Sequence, residues 1–347
     1  MSPDAGGHAA LEYWCEASPA QASVTPVAPG LRWLVMPLPM SLNHINLWLL
    51  DDTGGTAIVD TGIASEKSRE VWRHVFDGPL KGEKITRLII THAHPDHIGL
   101  AGWLAETLGI EVWISKTEWE MGYRMSRDPG PLLEESGMAL FTRGGLAPEA
   151  IKLAGGRINT RLPVAVLPEH FHRLEDGMTL KVGGRDWRIV VGRGHAPEHC
   201  SLWAADGDLF IAGDQVLPKI TPNVSLWPSR VEQDPLGAFL ASADTIEATV
   251  PDSVLVLPSH NLPFHRLHNR LQQLRDHHAD RHDVVVEACD TPKTAVELVP
   301  VLFKRKLDQR QMGFAMGEAL AHLQHAANTG RLTREERGDG GWIFERS

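Results

Sequence analysis

Short apolar runs, each stopped by Gly, Pro, Asp or Asn, recur along the first three quarters of this chain. Runs of this kind bounded by turn residues predict buried strands. Leu31 to Met36 and His44 to Leu50 are the first two, separated by Pro37-Leu38-Pro39. Asp51-Asp52-Thr53-Gly54-Gly55 predicts a hairpin turn into a third strand, Thr56 to Val59. The spacing then becomes helical, with Val71, Trp72, Val75 and Phe76 on one face until Gly78-Pro79. A strand through Leu88-Ile89-Ile90, a helix over 98–108 and a strand over 111–115 continue as β-α-β, the pattern of an α/β fold. Further strands are predicted over 179–182, 187–191, 201–204, 209–212 and 254–257.

Two regions depart from this rhythm. Residues 117–173 read as a helical insertion broken at Asp128-Pro129-Gly130-Pro131, Gly144-Gly145 and Gly155-Gly156, suited to a lid or one wall of a cleft. Beyond residue 260 the pattern is helical. Leu267, Leu271 and Leu274 open a helix reaching Cys289, and Thr291-Pro292 predicts the cap of a second helix ending at Phe303. A third helix spans Asp308 to Asn328, and Gly330 to Thr333 with Gly341 to Phe344 predicts a hairpin. Residues 1–30, rich in Ala, Pro, Gly and Ser, read as a loosely held arm. The expected division is therefore an arm over 1–30, an α/β body over 31–261 and a small winged-helix-like unit over 262–347.

The polar residues that carry chemistry fall where the strands end. Directly after Leu88-Ile89-Ile90 comes Thr91-His92-Ala93-His94-Pro95-Asp96-His97. Alternation along an extended segment aims His92 and His94 the same way, and Pro95 forces a turn that brings Asp96 and His97 round. Imidazole nitrogens and a carboxylate at this density are ligands for Zn²⁺ or a similar divalent ion. His195, Asp214 and His260 each lie just past another apolar strand, where a rigid element can aim a loop-borne side chain.

Composition narrows the class. The chain has 347 residues, 42% apolar and 22% charged, which is ordinary for a soluble globular protein. A net charge of −10 opposes a general nucleic-acid surface. Residues 262–347 carry 13 Lys and Arg against 12 Asp and Glu, a net of +1, with Lys304-Arg305-Lys306 as the dense basic run. Cys15, Cys200 and Cys289 are too few and too scattered for a disulfide framework, as expected in a reducing compartment. Neither a secretory signal nor an uncharged run of transmembrane length is visible, so a cytoplasmic protein without a membrane partner is expected.

His92-x-His94-x-Asp96-His97, followed by His195, Asp214 and His260 and preceded by Asp60-Thr61-Gly62, resembles the metallo-β-lactamase-fold hydrolase superfamily over residues 30–261. The resemblance implies an αββα sandwich with metals at one edge. It further implies a first metal on His92, His94 and His195, a second on Asp96, His97 and His260, and Asp214 bridging both. That bridging carboxylate is similar to the glyoxalase II type and unlike the class B β-lactamases. Two Zn²⁺ per chain, with Mn²⁺ or Fe as substitutes, would share a water and present hydroxide as a metal-bridging nucleophile. Asp96 and Asp214 are the candidate catalytic residues, Asp96 also passing a proton to the leaving group. Asp60 is a candidate for fixing a metal-bound histidine, with a strand-end turn as the equal alternative. His199, in a segment similar to the family's Gly-His-x-Pro-x-His, is expected beside the metals or against substrate. His170, His172, His277, His278 and His282 are expected to face water, and Cys200, Trp203 and Trp227 to lie in the core.

The expected reaction is hydrolysis of a small ester or thioester, with the oligomeric state open and a homodimer as the candidate assembly. The C-terminal helices and hairpin also resemble the tail of β-lactamase-like proteins that include an endoribonuclease, which makes RNA phosphodiester hydrolysis the alternative. A mononuclear iron dioxygenase of the persulfide type and a non-enzymatic winged-helix binding protein rank below both, because the second ligand set is complete.

Overall fold

The computed structural model describes residues 10–347 apart from 41, 128–130, 148, 150, 152–162 and 227–232. The expected breaks at 128–130 and Gly155-Gly156, and Trp227, lie outside the described residues.

Two seven-stranded sheets pack face to face. The first runs in spatial order β2 (Val24–Ala28), β3 (Leu31–Pro37), β4 (His44–Asp52), β5 (Gly55–Val59), β6 (Ile85–Ile89), β7 (Glu111–Ile114) and β8 (His172–Arg173). The second runs β1 (Glu12–Tyr13), β14 (Phe264–His265), β13 (Leu255–Pro258), β12 (Leu209–Gly213), β11 (His199–Ala204), β10 (Arg185–Gly192) and β9 (Thr179–Val182). Pairing is parallel from β5 to β8 and between β12 and β13, and antiparallel elsewhere.

Strand alternation decides which sheet face each side chain joins. In β3, Leu31, Trp33 and Val35 enter the layer between the sheets while Leu34 and Met36 enter the outer layer. In β12, Leu209 and Ile211 point inward while Phe210 and Ala212 point outward. Both faces are covered, which is why these strands read as continuous apolar runs rather than alternating ones. The outer face of the first sheet is covered by α1 (Glu66–Asp77) and α3 (Ala101–Leu108). The second is covered by α6 (Pro235–Thr249) and the first half of α7 (Leu267–Ala288). The result is the expected αββα sandwich.

Four expectations need correction. Residues 10–30 are not a loose arm: β2 is an edge strand of the first sheet and β1 of the second. Pro26 sits in an edge strand, where proline is tolerated, and backbone pairing rather than an apolar run holds these segments. The body does not end at 261 either. β14 joins the second sheet, and Leu267, Leu271 and Leu274 pack with Phe239 and Ile246. Val285 and Val286, late in the same helix, belong to the C-terminal core, so α7 is shared. The next helix, α8 (Ala295–Leu302), is capped by Thr294 and not Thr291: the Glu297 carboxylate accepts the Thr294 N–H and hydroxyl, both at 2.8 Å. Finally, His278 is 2% exposed and its ring lies 5.5 Å from that of the equally buried His322. His277 and His282 also carry buried ring nitrogens. The polar lettering of this stretch suggests solvent, but α7 packs against both α6 and α9 (Gln309–Asn328). His170 and His172 are exposed, Cys200 is buried between the sheets, and Trp203 is half-buried against the outer layer.

The helical insertion divides its packing. Its first helix, α4 (Lys116–Arg127), lies on the metal-motif segment, Gly122 meeting Ile98. Its second, α5 (Pro131–Arg143), sends Leu140 and Phe141 into the C-terminal core with Met316, Leu320, Leu323, Trp342 and Phe344. The hairpin of β15 (Leu332–Glu336) and β16 (Trp342–Arg346) closes that core. No helix among the described residues is long and apolar enough to cross a membrane. Trp342→Ala should destabilise the protein by about 3–5 kcal/mol, because it opens a cavity shared by hairpin, insertion and C-terminal helices. Chemical denaturation of the two proteins measures this.

Candidate metal centre

Each candidate ligand stands on the loop that leaves a buried strand, at one end of the sandwich. His92 and His94 follow β6, and Pro95 opens the single-turn helix α2 (Pro95–Ile98), which carries Asp96 and His97 back toward them. His195 follows β10, Asp214 follows β12 and His260 follows β13. The structure gathers these side chains into two adjoining groups. His92, His94, His195 and Asp214 form one, and Asp96, His97 and His260 the other, each with ligand atoms within 4.8 Å of one another. Asp214 touches both. Its Oδ2 lies 3.5 Å from Nε2 of His195 and 3.5 Å from Nε2 of His97, and its Oδ1 lies 3.5 Å from Nε2 of His260. Asp96 Oδ2 lies 3.4 Å from His260 Nε2 and 3.8 Å from His97 Nε2.

The outer nitrogens of His92, His97, His195 and His260 are committed, which fixes where the lone pairs of the neutral rings point. His195 Nδ1 donates to the carbonyl of Asn223 at 2.8 Å, and His260 Nδ1 to the carbonyl of His44 at 3.1 Å. A carbonyl only accepts, so in the neutral rings both Nε2 atoms carry lone pairs. Asp60 does the same for His97, accepting Nδ1–H on Oδ2 at 2.8 Å. Asp60 also accepts the Thr91 backbone N–H at 2.8 Å and the Thr91 hydroxyl at 2.9 Å. That hydroxyl has one proton and gives it to the carboxylate, so its oxygen is left to accept Nδ1–H of His92 at 3.0 Å. One carboxylate thus orients His97 directly and His92 through Thr91. Asp60 itself holds φ of +61°, a left-handed conformation that Asp tolerates better than most residues.

Three imidazole nitrogens consequently converge. His92 Nε2 is 2.8 Å from His94 Nδ1 and 3.2 Å from His195 Nε2. Burial, reinforced by neighbouring histidines, keeps His92 well below the ordinary histidine pKa, and burial with His195 takes His94 down to about 3. As neutral rings, His92 and His195 present Nε2 lone pair to lone pair with a third nitrogen, His94 Nδ1, beside them, an arrangement a cation relieves. In the other group, burial opposes charging of His97, but Asp214, Asp60 and Asp96 outweigh it and raise its pKa. His260 is raised to about 10, burial being overcome by Asp214 and Asp96. The carboxylates there call for positive charge. His97 Nε2 and Asp214 Oδ1 are buried without a hydrogen-bond partner among the described residues. Donor set, tautomers and orphaned atoms all fit divalent metal.

His199 has a different task. Its Nε2 accepts the backbone N–H of Asp214 at 3.1 Å, and its Nδ1 lies 3.3 Å from the Ser201 hydroxyl, so both nitrogens are occupied away from the ligand groups. Gly213, at φ +56°, leaves that ring its space: a Cβ there would come within 2.3 Å of His199 Nε2.

With this geometry established, comparison with known proteins gives the family. The metallo-beta-lactamase superfamily profile matches residues 41–260, and the metallo-beta-lactamase-like C-terminal domain profile matches residues 282–347. The chain belongs to the metallo-beta-lactamase superfamily. Its structure is similar to a beta-lactamase domain protein from Burkholderia ambifaria, with 40% identity, 97% of this chain and 98% of the other covered, and a TM-score of 0.88. A metallo-beta-lactamase family protein from Thermus thermophilus is 30% identical, covering 92% of this chain and 99% of its own length, with a TM-score of 0.77. The probable metallo-hydrolase YqjP of Bacillus subtilis (strain 168) is 23% identical over 298 residues, 83% of this chain and 89% of that protein.

Within this family fold, several residues that brace the centre were not anticipated. Glu118, at the start of α4, is fully buried and accepts the N–H of Ala93 at 2.9 Å and of Glu198 at 2.8 Å. It clamps the His92–His94 loop to the loop after His195. Asn46 of β4 donates to the carbonyls of Pro258 at 2.9 Å and Asn261 at 2.7 Å, holding the His260 loop. Asn223 holds His195. Nothing in local spacing marks these three, since each acts across long sequence separations.

Asp60→Asn tests the tautomer argument. The amide oxygen stays on Thr91, the amide NH₂ faces His97 Nδ1, and that nitrogen must become an acceptor. His97 Nε2 then carries the proton and cannot ligate. One metal should bind about 10–100-fold more weakly, while the folded secondary structure persists by circular dichroism. Chelator competition reads the affinity.

Proposed function

We propose that this chain is a dinuclear metallo-hydrolase acting on a small ester or thioester. The observation that carries this reading is Asp214, whose two carboxylate oxygens reach histidines of both ligand groups at 3.5 Å. A carboxylate in that position is suited to bridging two cations. In the first site we place His92, His94 and His195, in the second Asp96, His97 and His260. All-nitrogen and oxygen donors suit Zn²⁺, with Mn²⁺ or Fe²⁺ as alternatives. No thiolate competes, because burial pushes the Cys200 thiol far above its ordinary pKa. Bound divalent ions would supply Lewis acidity and a water acidified toward neutral pH.

The chain's own residues supply the rest. His195, His260 and His97 are held in one tautomer by Asn223, His44 and Asp60, so no reorganisation is needed when charge develops. Asp96 is the half-buried member of its ligand group, beside the buried His97 and His260. Its carboxylate can take the proton of the attacking water and deliver it to the departing alkoxide or thiolate.

The small-substrate reading is favoured over phosphodiester cleavage by the fate of the C-terminal arginines. Arg331 pairs with Asp283 at 2.7 Å, Arg346 with Asp290 at 2.9 Å and Arg281 with Glu318 at 3.2 Å, while Arg334 lies over the Trp342 ring at 4.3 Å. These charges serve the unit's own packing, whereas a nucleic-acid face concentrates them for phosphate.

Elemental analysis of purified protein should find two divalent metals per chain. A panel of acyl thioesters, lactones and phosphodiesters on Zn²⁺- and Mn²⁺-loaded protein should show turnover of the first two classes. Asp214→Ala should lower that turnover by about 100-fold or more. One tightly held iron with oxygen uptake, or cleavage of single-stranded RNA with no acyl hydrolysis, would replace this assignment.

A further inference from the structure

We infer that the C-terminal helix α9 is a positioning element of the metal centre, acting on His195 through the segment Asn223–Leu226. The inference rests on reading His195 as a metal ligand. None of the candidate ligands lies in the C-terminal unit, yet the unit grips the one segment that orients His195.

The connection is continuous and short. His195 Nδ1 donates to the carbonyl of Asn223 at 2.8 Å. The Asn223 side chain is held in turn by the Ser225 hydroxyl, which donates to Oδ1 at 3.1 Å. The next residue, Leu226, donates its backbone N–H to the carbonyl of Gly317 on α9 at 3.0 Å. Its side chain, 1% exposed, is part of the C-terminal core with Met316 and Leu320. Upstream, the same loop is tied to α7: the Arg270 guanidinium donates to the carbonyls of Leu217 at 2.6 Å and Ile220 at 2.9 Å. The described part of the loop that leaves Asp214 is therefore fastened at Leu217, Ile220 and Leu226 to helices that carry no candidate ligand.

Gly317 is the point where this contact can be tested. A Cβ at that position would lie 2.8 Å from Ser225 Oγ and 2.9 Å from Ser225 Cβ, closer than non-bonded atoms approach. Only glycine lets the loop sit this near the helix. An added methyl must displace Ser225, and with it the Asn223 carbonyl that holds His195. A purely local effect runs the other way, since Ala is the better helix former at an interior position.

A double-mutant cycle separates these outcomes. Zinc affinity is measured by chelator competition, with the thermal midpoint of the metal-free protein alongside, for wild type, Gly317→Ala, Ser225→Gly and the double variant. His195→Ala sets the size of effect for losing the ligand, and Leu323→Ala, in the same C-terminal core on the same helix as Gly317, sets the effect of destabilisation alone. Gly317→Ala should weaken zinc binding about ten-fold or more, and the double variant should return to the level of Ser225→Gly, because that change removes both colliding atoms. Leu323→Ala should lower the midpoint and leave zinc affinity unchanged. Wild-type affinity in Gly317→Ala, or an equal loss in Leu323→Ala, would overturn the inference while leaving His195 a ligand. Unchanged affinity in His195→Ala would remove the ligand reading and the inference together.

Discussion

Lone pairs that face each other inside a protein repel, and carboxylates gathered out of water demand positive charge. Both conditions meet at the end of this sandwich. His92 and His195 bring two lone pairs together beside His94, their outer protons committed to Thr91 and Asn223, and Asp96 and Asp214 lie between His97 and His260. Such a constellation is costly to keep in a cation-free protein, because His97 Nε2 and Asp214 Oδ1 have given up hydration without gaining a hydrogen bond among the described residues. The surrounding structure exists in large part to hold it. Two sheets covered on both faces make rigid strand ends, and Glu118, Asn46 and Asn223 tie the loops leaving those ends to neighbouring elements.

That division of labour explains what could be read from the residues alone. The candidate ligands are legible because each is a ligand type placed directly after an apolar run, and both signals are local. Strand positions were legible for the same reason. Harder to see were elements held by backbone pairing, such as Val24–Ala28 and Glu12–Tyr13, whose side chains carry little pattern. Helix α6 does not stand out in the sequence although Asp234 caps it, Pro235 occupies its first turn and Leu236, Phe239, Ala243 and Ile246 face the core, because its apolar side is too diffuse.

The buried histidines of α7 and α9 show a different limit. Spacing reports how polar a segment is, but not whether another helix covers it. His278 and His322 lie in polar-looking helices that pack on one another, so their burial follows from tertiary contact. Glu118 illustrates the same limit at the metal centre. A glutamate at the start of a helix reads as a favourable charge near the dipole's positive end, yet this one is fully buried and joins two ligand-bearing loops. Its role is visible only once Ala93 and Glu198 are seen side by side.

Everything proposed for the chemistry depends on Asp214 standing between two metals. Crystals of the zinc-loaded protein, measured at the zinc absorption edge, put that placement to the test. Two anomalous peaks about 3.5–4 Å apart are expected, with the Asp214 carboxylate between them. One should lie beside His92, His94 and His195 and the other beside Asp96, His97 and His260. A single peak at full occupancy, with either group empty at saturating zinc, would contradict it.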